Sequence, residues 1–186
     1  MRPAFDALLD IDDAMAEVVA QSTQPALGAI KLAWWRERLE ELDHGKAPAE
    51  PRLQAAAVEL LARGVSGADL AQLEAGWATL LQERPDAVVA LSRGVALFGM
   101  GARLLGQEPS DFLEIAGRLY AAGSLSRRGL APGHSIVITQ SPRVPVRFRA
   151  LTALGALGRR DLARREEEAT PARAWTLLRH RLTGRI

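Results

Sequence analysis

A chain of 186 residues that is 48% hydrophobic and 25% charged is long enough to bury a core and has the balance of a soluble globular domain. It contains no cysteine, which excludes disulfides, thiolate metal centres and cysteine nucleophiles. The formal net charge of +2 conceals an asymmetry: residues 1–50 carry five Lys/Arg against ten Asp/Glu, whereas residues 147–186 carry ten arginines against four acids. The sequence shows neither a secretory signal nor an apolar run of the roughly 18 residues that cross a bilayer, so we expect a cytoplasmic protein.

Helical periodicity runs through most of the chain. Leu8, Ile11 and Met15 recur at intervals of three and four, which indicates one buried stripe on a first helix. Ser66, with Asp69 three residues later, predicts a capping-box start for a fourth helix. The helices predicted from these patterns cover approximately residues 8–22, 25–43, 51–63, 66–84, 85–106, 110–128, 144–157 and 171–182.

Only one stretch, residues 129–145, has a clearly non-helical pattern. Within it "SIVIT" (135–139) is short and β-branched enough for an extended strand. Ser110 is expected to cap the helix that begins after it. Because neither an internal repeat nor a low-complexity linker interrupts the chain, we predict one all-α domain over residues 1–186.

The predicted fifth helix contains three interior glycines, Gly94, Gly99 and Gly101. Each costs a helix about 1 kcal/mol relative to alanine, so a neighbouring backbone or a ligand is expected to come close. The spacing does not match a dinucleotide-binding fingerprint, because Leu104 stands where a third glycine belongs and no strand precedes it.

Two adjacent tryptophans, Trp34 and Trp35, lie on the predicted second helix. Neighbouring helical residues point about 100° apart, so a single narrow stripe cannot bury both. One apolar seam contains Leu32, Trp35, Leu39 and Leu42, and a second contains Leu27, Ile30 and Trp34. The combined face predicts a helix that is surrounded by several others at the centre of a bundle.

Four segments resemble the squalene/phytoene synthase family. "LGAIKLAWWRERLEELDHGKAP" (27–48) resembles the second helix of its divergent bacterial and mitochondrial branch, which includes a respiratory complex I assembly factor. "ALLDIDDAMAEVV" (7–19) resembles the first helix of that branch, "AGRLYAAGSLSRRGLAPGH" (116–134) the second signature helix, and "PARAWTLLRHRLTGR" (171–185) the C-terminal helix. The resemblance is strong over residues 7–48 and weak from about 50 to 110.

This resemblance implies an all-α, isoprenoid-synthase-like helical bundle that is shortened relative to active family members. Active members join two prenyl diphosphates head to head. Carboxylates on two facing helices hold Mg²⁺, which takes up the charge of the leaving pyrophosphate, and an apolar cavity between the helices houses the prenyl chains.

The acids of the first helix do not favour such a site. Asp6, Asp10, Asp13 and Glu17 form one stripe, which at about 100° per residue lies nearly opposite the apolar face. We therefore expect these four side chains to face solvent. Only Asp12 flanks the apolar face.

The second signature helix also departs from the active pattern. Ala121, Ser124, Arg127 and Arg128 stand where active members carry Gln, Asn and an Arg-Asp run. Residues 115–160 contain no Asp or Glu. A magnesium-diphosphate site with two facing acidic helices is therefore not expected, and no catalytic residue or metal ligand is assigned. The pocket candidates are Asp12, Trp34, Trp35, Tyr120, Ser124 and Arg127.

Three interpretations remain open. The first is a degenerate family member without catalytic activity and without a cofactor, which binds a prenyl or other lipid chain or serves in assembly. Its arginine-rich C-terminal region would contact a protein partner or anionic membrane, which would place it peripherally at the inner membrane. The second is a working prenyl-diphosphate synthase with an atypical Mg²⁺ site. The third, ranked last, is a helical regulator that binds nucleic acid; its sequence has no recognition helix or interleaved aromatics.

Overall fold

A computed structural model describes residues 1–45, 47–131, 142–164 and 166–186. The described residues are mostly helical and contain no strand apart from an isolated bridge between Arg143 and Arg185, so the all-α prediction is confirmed. The strand predicted at 135–139 lies outside the described residues. The α-helices are α1 (Arg2–Ala20), α2 (Pro25–Leu42), α3 (Pro51–Glu59), α4 (Gly67–Ala71), α5 (Leu73–Ala78), α6 (Ala87–Leu104), α7 (Asp111–Arg127), α8 (Arg149–Ala163) and α9 (Pro171–Thr183), with 3-10 turns at Leu61–Arg63, Thr79–Leu81 and Val146–Phe148.

The helix predicted over residues 66–84 is broken into α4, α5 and a 3-10 turn. Its predicted start is confirmed: the Ser66 hydroxyl accepts a hydrogen bond from the Asp69 backbone amide, and the Asp69 carboxylate accepts one from the Ser66 amide. The cap predicted at Ser110 is only half correct. Ser110 occupies the position before α7, but its side chain makes no capping hydrogen bond, and its buried hydroxyl has no partner in the part of the chain that the structure describes.

Helices α6, α7 and α8 pack unusually closely because small residues line both contacts of α7. Gly94 on α6 lies directly against the Gly117 backbone, and Gly158 on α8 against the Leu119 backbone. A Cβ atom at either glycine would overlap the facing carbonyl oxygen. The close approach predicted for Gly94 is therefore to a neighbouring helix, whereas Gly99 faces open space.

The central position predicted for α2 is wrong. The seam of Leu32, Trp35, Leu39 and Leu42 is buried as expected, but Leu27, Ile30 and Trp34 are exposed, Trp34 by 42%. Helix α2 therefore buries one stripe and leaves a second apolar strip in solvent. Trp34 packs edge-on against Trp35, with 5.4 Å between the ring centroids. The two rings contact each other, but only Trp35 belongs to the core of the bundle.

The sequence was expected to contain no apolar run of membrane-spanning length, but α6 is long and apolar enough to cross a membrane by length and composition alone. More than half of its residues in that window are buried inside the bundle, a property that core helices of soluble proteins share. It also carries Arg93 in its interior, and this side chain is fully buried. The helix positions that arginine between α1, α5 and α7, where the candidate site begins.

Candidate functional site

Asp12 lies on the inner side of α1 and is buried, with 1% of its surface exposed. Arg93 Nη1 donates hydrogen bonds to both of its carboxylate oxygens, at 2.8 Å and 2.6 Å. Trp77 Nε1 donates to Oδ1 at 2.9 Å, and the Tyr120 hydroxyl donates to Oδ2 at 3.1 Å. Four helices, α1, α5, α6 and α7, thus meet at one carboxylate.

The arginine of this cluster is held by its aromatic neighbours as well as by its counter-ion. The Arg93 guanidinium carbon lies 3.9 Å from the centroid of the Trp77 ring, within cation–π range. Its Nη2 donates a long hydrogen bond of 3.4 Å to the Ala121 carbonyl, and its Nε has no hydrogen-bond partner among the described residues. The cluster therefore fills the middle of the bundle with paired charge and two large rings.

Tyr120 links this buried cluster to the surface. Burial and the charge of Asp12 raise the pKa of its hydroxyl well above the ordinary value, against a smaller opposing effect of Arg93. The phenol consequently stays protonated and donates to Asp12. The outer side of the same residue lines an open cleft.

The cleft lies between α7, α8 and the connection that leads into α9, and encloses about 390 Å³. This volume is within the range of small-molecule sites. Its wall combines apolar and charged side chains and consists of Tyr120, Ser124, Arg127, Arg128, Leu154, Leu157, Gly158, Asp161, Glu168 and Arg173.

Ion pairs hold the rim of the cleft. Arg127 donates to the Glu166 carbonyl at 3.1 Å and to the Glu168 carboxylate at 2.7 Å, so it ties the end of α7 to the connection before α9. Asp161, which is buried, lies between Arg127 and Arg173 and pairs with both.

The next residue, Arg128, forms an ion pair with Asp13 on α1 at 2.6 Å. Although about half of the Asp13 side chain is exposed, partial burial raises the pKa of its carboxyl above the ordinary value, and the opposing effect of Arg128 only partly offsets this. The arginines Arg127, Arg128 and Arg173 thus all have carboxylate partners, and the cleft presents fixed ion pairs together with the Ser124 hydroxyl.

The structure brings together some of the predicted site residues and separates others. Tyr120, Ser124 and Arg127 line the cleft, and Asp12 lies beneath it as the partner of Tyr120. The two α2 tryptophans are not part of its wall: Trp35 is buried in the core, and Trp34 is exposed.

Sequence reasoning missed Arg93, Trp77 and Asp161. A signal for Arg93 does exist in the sequence, because a single arginine in the middle of the most apolar helix needs a buried counter-ion, and Asp12 is the one acid that flanks the apolar face of α1. Trp77 and Asp161 have no comparable local signal.

The predicted solvent exposure of the acidic stripe is confirmed. Asp6, Asp10, Asp13 and Glu17 are exposed, and Glu17 is held in a two-point ion pair by Arg52. Among the described residues no group of three or more His, Asp or Glu side chains is placed to hold a metal ion. These residues do not fit the magnesium site of an active synthase, because the only inward acid of α1 already has a cationic partner.

Comparisons with protein-family models, with curated proteins and with solved structures found no match for this chain.

Proposed function

We propose that this protein is a non-catalytic module resembling squalene/phytoene synthases, which binds an amphipathic ligand in the cleft between α7 and α8. The observation that carries the proposal is the engagement of Asp12 by Arg93, Trp77 and Tyr120. In active members of the family that the chain resembles, carboxylates of the first helix bind Mg²⁺. Here the one buried carboxylate of α1, Asp12, is already bound by the Arg93 guanidinium and is not free to bind a divalent cation.

Charge on the facing helix supports the same conclusion. Ser124, Arg127 and Arg128 stand at the C-terminal end of α7, where the active pattern has a polar and acidic run, and both arginines already pair with carboxylates. A metal ion at this place would meet two positive charges and would receive no free carboxylate from α7.

The wall of the cleft indicates the class of ligand. Leu154 and Leu157 of α8 offer an apolar surface. The polar part of the wall has the Ser124 hydroxyl and three arginines against two carboxylates, so it keeps an excess of positive charge although Arg127 is itself ion-paired. A molecule with an anionic head and a short apolar tail matches this division. A prenyl diphosphate bound without turnover is one such molecule.

Pyrophosphate release tests the non-catalytic part of the proposal. The chain is incubated with farnesyl or geranylgeranyl diphosphate and Mg²⁺, and we expect no release above that of the buffer. Mg²⁺-dependent release that Asp12→Asn abolishes would contradict the proposal and would favour an active synthase.

Calorimetric titration with farnesyl diphosphate in the absence of Mg²⁺ tests the ligand site. We expect saturable binding that Arg127→Ala weakens by at least about ten-fold, because the charged donor is lost. Arg118→Ala is the matched control, since Arg118 lies on the same helix, does not line the cleft and forms an exposed ion pair with Glu114. Equal affinities of the two variants would place the ligand elsewhere.

A further inference from the structure

The outward face of α9 is apolar. Trp175, Leu178 and Leu182 lie within about 60° of one another around the helix axis. They are 63%, 44% and 68% exposed. Exposed large side chains in one continuous strip are uncommon on soluble domains and mark surfaces of interaction.

The inward face of the same helix is polar. Arg173 pairs with the buried Asp161 of α8, and the Thr176 hydroxyl accepts a hydrogen bond from Arg160 at 3.3 Å. These contacts fix the rotation of α9 about its axis, because turning the apolar strip inward would break them.

His180 anchors the C-terminal half of α9 in the same way. It is buried, with Nε2 at 2.9 Å from the Thr152 hydroxyl and Nδ1 at 2.9 Å from the Arg185 carbonyl. The ordinary arrangement of a surface helix, with its apolar side against the core, is therefore reversed in α9.

Arginines flank the apolar strip on both sides. Arg179 lies about 70° to one side of its centre and Arg181 about 90° to the other. Both are exposed and have no ion-pair partner in the described part of the chain. Residues 171–186 contain four arginines and no Asp or Glu.

We propose that this face of α9 docks onto an anionic lipid surface, with the Trp175–Leu182 strip in the interface and the two arginines at the level of the head groups. An apolar strip between basic flanks is the pattern of helices that lie in the membrane interface. Arginine side chains extend from such a position toward anionic head groups, and tryptophan favours the same depth. The inference is independent of the proposed function, because a catalytic protein could carry the same face.

A second copy of this chain is a poorer occupant. A two-fold contact between two such faces would place arginines near arginines, and the face contains no carboxylate to offset them. A lipid bilayer that contains phosphatidylserine supplies the missing negative charge without requiring any particular shape.

Co-sedimentation of the full chain with vesicles tests the proposal. We expect binding to equimolar phosphatidylcholine–phosphatidylserine vesicles and at least about ten-fold weaker binding to phosphatidylcholine alone. The variant Arg179→Gln/Arg181→Gln should bind the anionic vesicles about 25-fold more weakly, at about five-fold per arginine. Trp175→Ser/Leu182→Ser should lose at least about ten-fold, because the strip no longer inserts.

The apolar strip of α2 offers a matched control. Ile30→Ser/Trp34→Ser removes side chains that are 65% and 42% exposed, on a helix whose three basic residues are matched by three glutamates, and should leave vesicle binding unchanged. Circular dichroism and the melting temperature establish that each variant is folded.

Three results would overturn the proposal. They are the absence of binding to anionic vesicles, equal binding to neutral vesicles, and a loss in the α2 control as large as in the α9 variants. Light scattering supplies a fourth: an oligomer that Trp175→Ser/Leu182→Ser dissociates, in a chain that binds no vesicles, would assign the face to a second copy.

Discussion

Arg93 on α6 and Asp12 on α1 form a buried ion pair across 81 residues of sequence, with Nη1 2.6 Å from Oδ2 and both side chains excluded from solvent. Burying two charges is unfavourable unless the pair is well satisfied, and here Trp77 and Tyr120 supply further hydrogen bonds to the carboxylate. The pair links α1 to α6, which packs against α7. It also removes from Asp12 the free negative charge that a metal ion would require.

Removing the cation of this pair should be strongly destabilising. Arg93→Met leaves the Asp12 carboxylate buried and without its cation, and we expect the free energy of unfolding to fall by about 3–5 kcal/mol. Urea denaturation monitored by circular dichroism measures the change.

The exposed pair of Arg52 with Glu17 provides the comparison. Arg52→Met should cost no more than about 1 kcal/mol, since solvent screens that pair. Equal losses of unfolding free energy in the two variants would show that the buried Asp12–Arg93 pair stabilises the fold no more than an exposed ion pair does.

Tyr120 can be observed directly because it is the only tyrosine in the chain. Its raised pKa predicts that the folded protein shows no phenolate absorbance near pH 10, where an unfolded tyrosine ionises. The neutral phenol is favoured in the folded state, so its contribution to stability is complete below about pH 10 and declines as the pH rises above that value.

Ultraviolet titration before and after addition of guanidinium chloride measures both states. A folded chain whose phenolate appears at the same pH as in the unfolded chain would contradict the burial of the Tyr120 hydroxyl beside the Asp12 carboxylate.

Two interior glycines of α6, Gly94 and Gly99, should respond in opposite ways to alanine. At Gly94 the new methyl group would overlap the Gly117 carbonyl oxygen of α7, so Gly94→Ala should destabilise by about 1–3 kcal/mol or more. At Gly99 a Cβ atom meets nothing within 4 Å, so Gly99→Ala should stabilise by up to about 1 kcal/mol through helix propensity alone. Thermal unfolding of both variants compares the two signs, and a gain at Gly94 would rule out close helix packing there.

The capping box at the start of α4 should weaken in acid. Burial alone would raise the pKa of Asp69, but hydrogen bonds from Arg103 and Ser66 outweigh it and hold that pKa below its ordinary value. The stabilisation by the carboxylate is therefore complete above about pH 4 and is lost as the pH falls through the lowered value.

Asp69→Ala should cost about 1 kcal/mol at neutral pH and progressively less below about pH 4. Denaturation curves of the two proteins across this range give the difference. A cost that stays constant down to pH 2 would mean that the carboxylate charge makes no contribution.

Local sequence pattern predicted the features of this fold that depend on neighbouring residues. The exposure of the Asp6–Glu17 stripe and the burial of the Leu32–Leu42 seam follow from helical periodicity, and the Ser66 cap follows from residue type and a spacing of three. Asp12 was recognised as the acid on the apolar flank of α1 for the same reason.

Periodicity could not decide which apolar face meets the core. On α2 two adjacent apolar seams were equally consistent with burial. Packing buried the seam that contains Trp35 and left Trp34 in solvent. On α9 the polar side was selected, because Asp161 and Thr152 on α8 offer partners that only polar side chains can use.

The sequence by itself determined an all-α chain, most of its helix boundaries, the outward direction of the N-terminal acids and the basic character of the C-terminal region. Only the tertiary structure decided that Asp12 is paired with Arg93 and that α9 presents its apolar side to solvent. The physical reason is the distance along the sequence over which each interaction acts. Helix formation and capping depend on residues within a few positions. Ion pairing and the choice of a buried face depend on groups that folding brings together from distant parts of the chain.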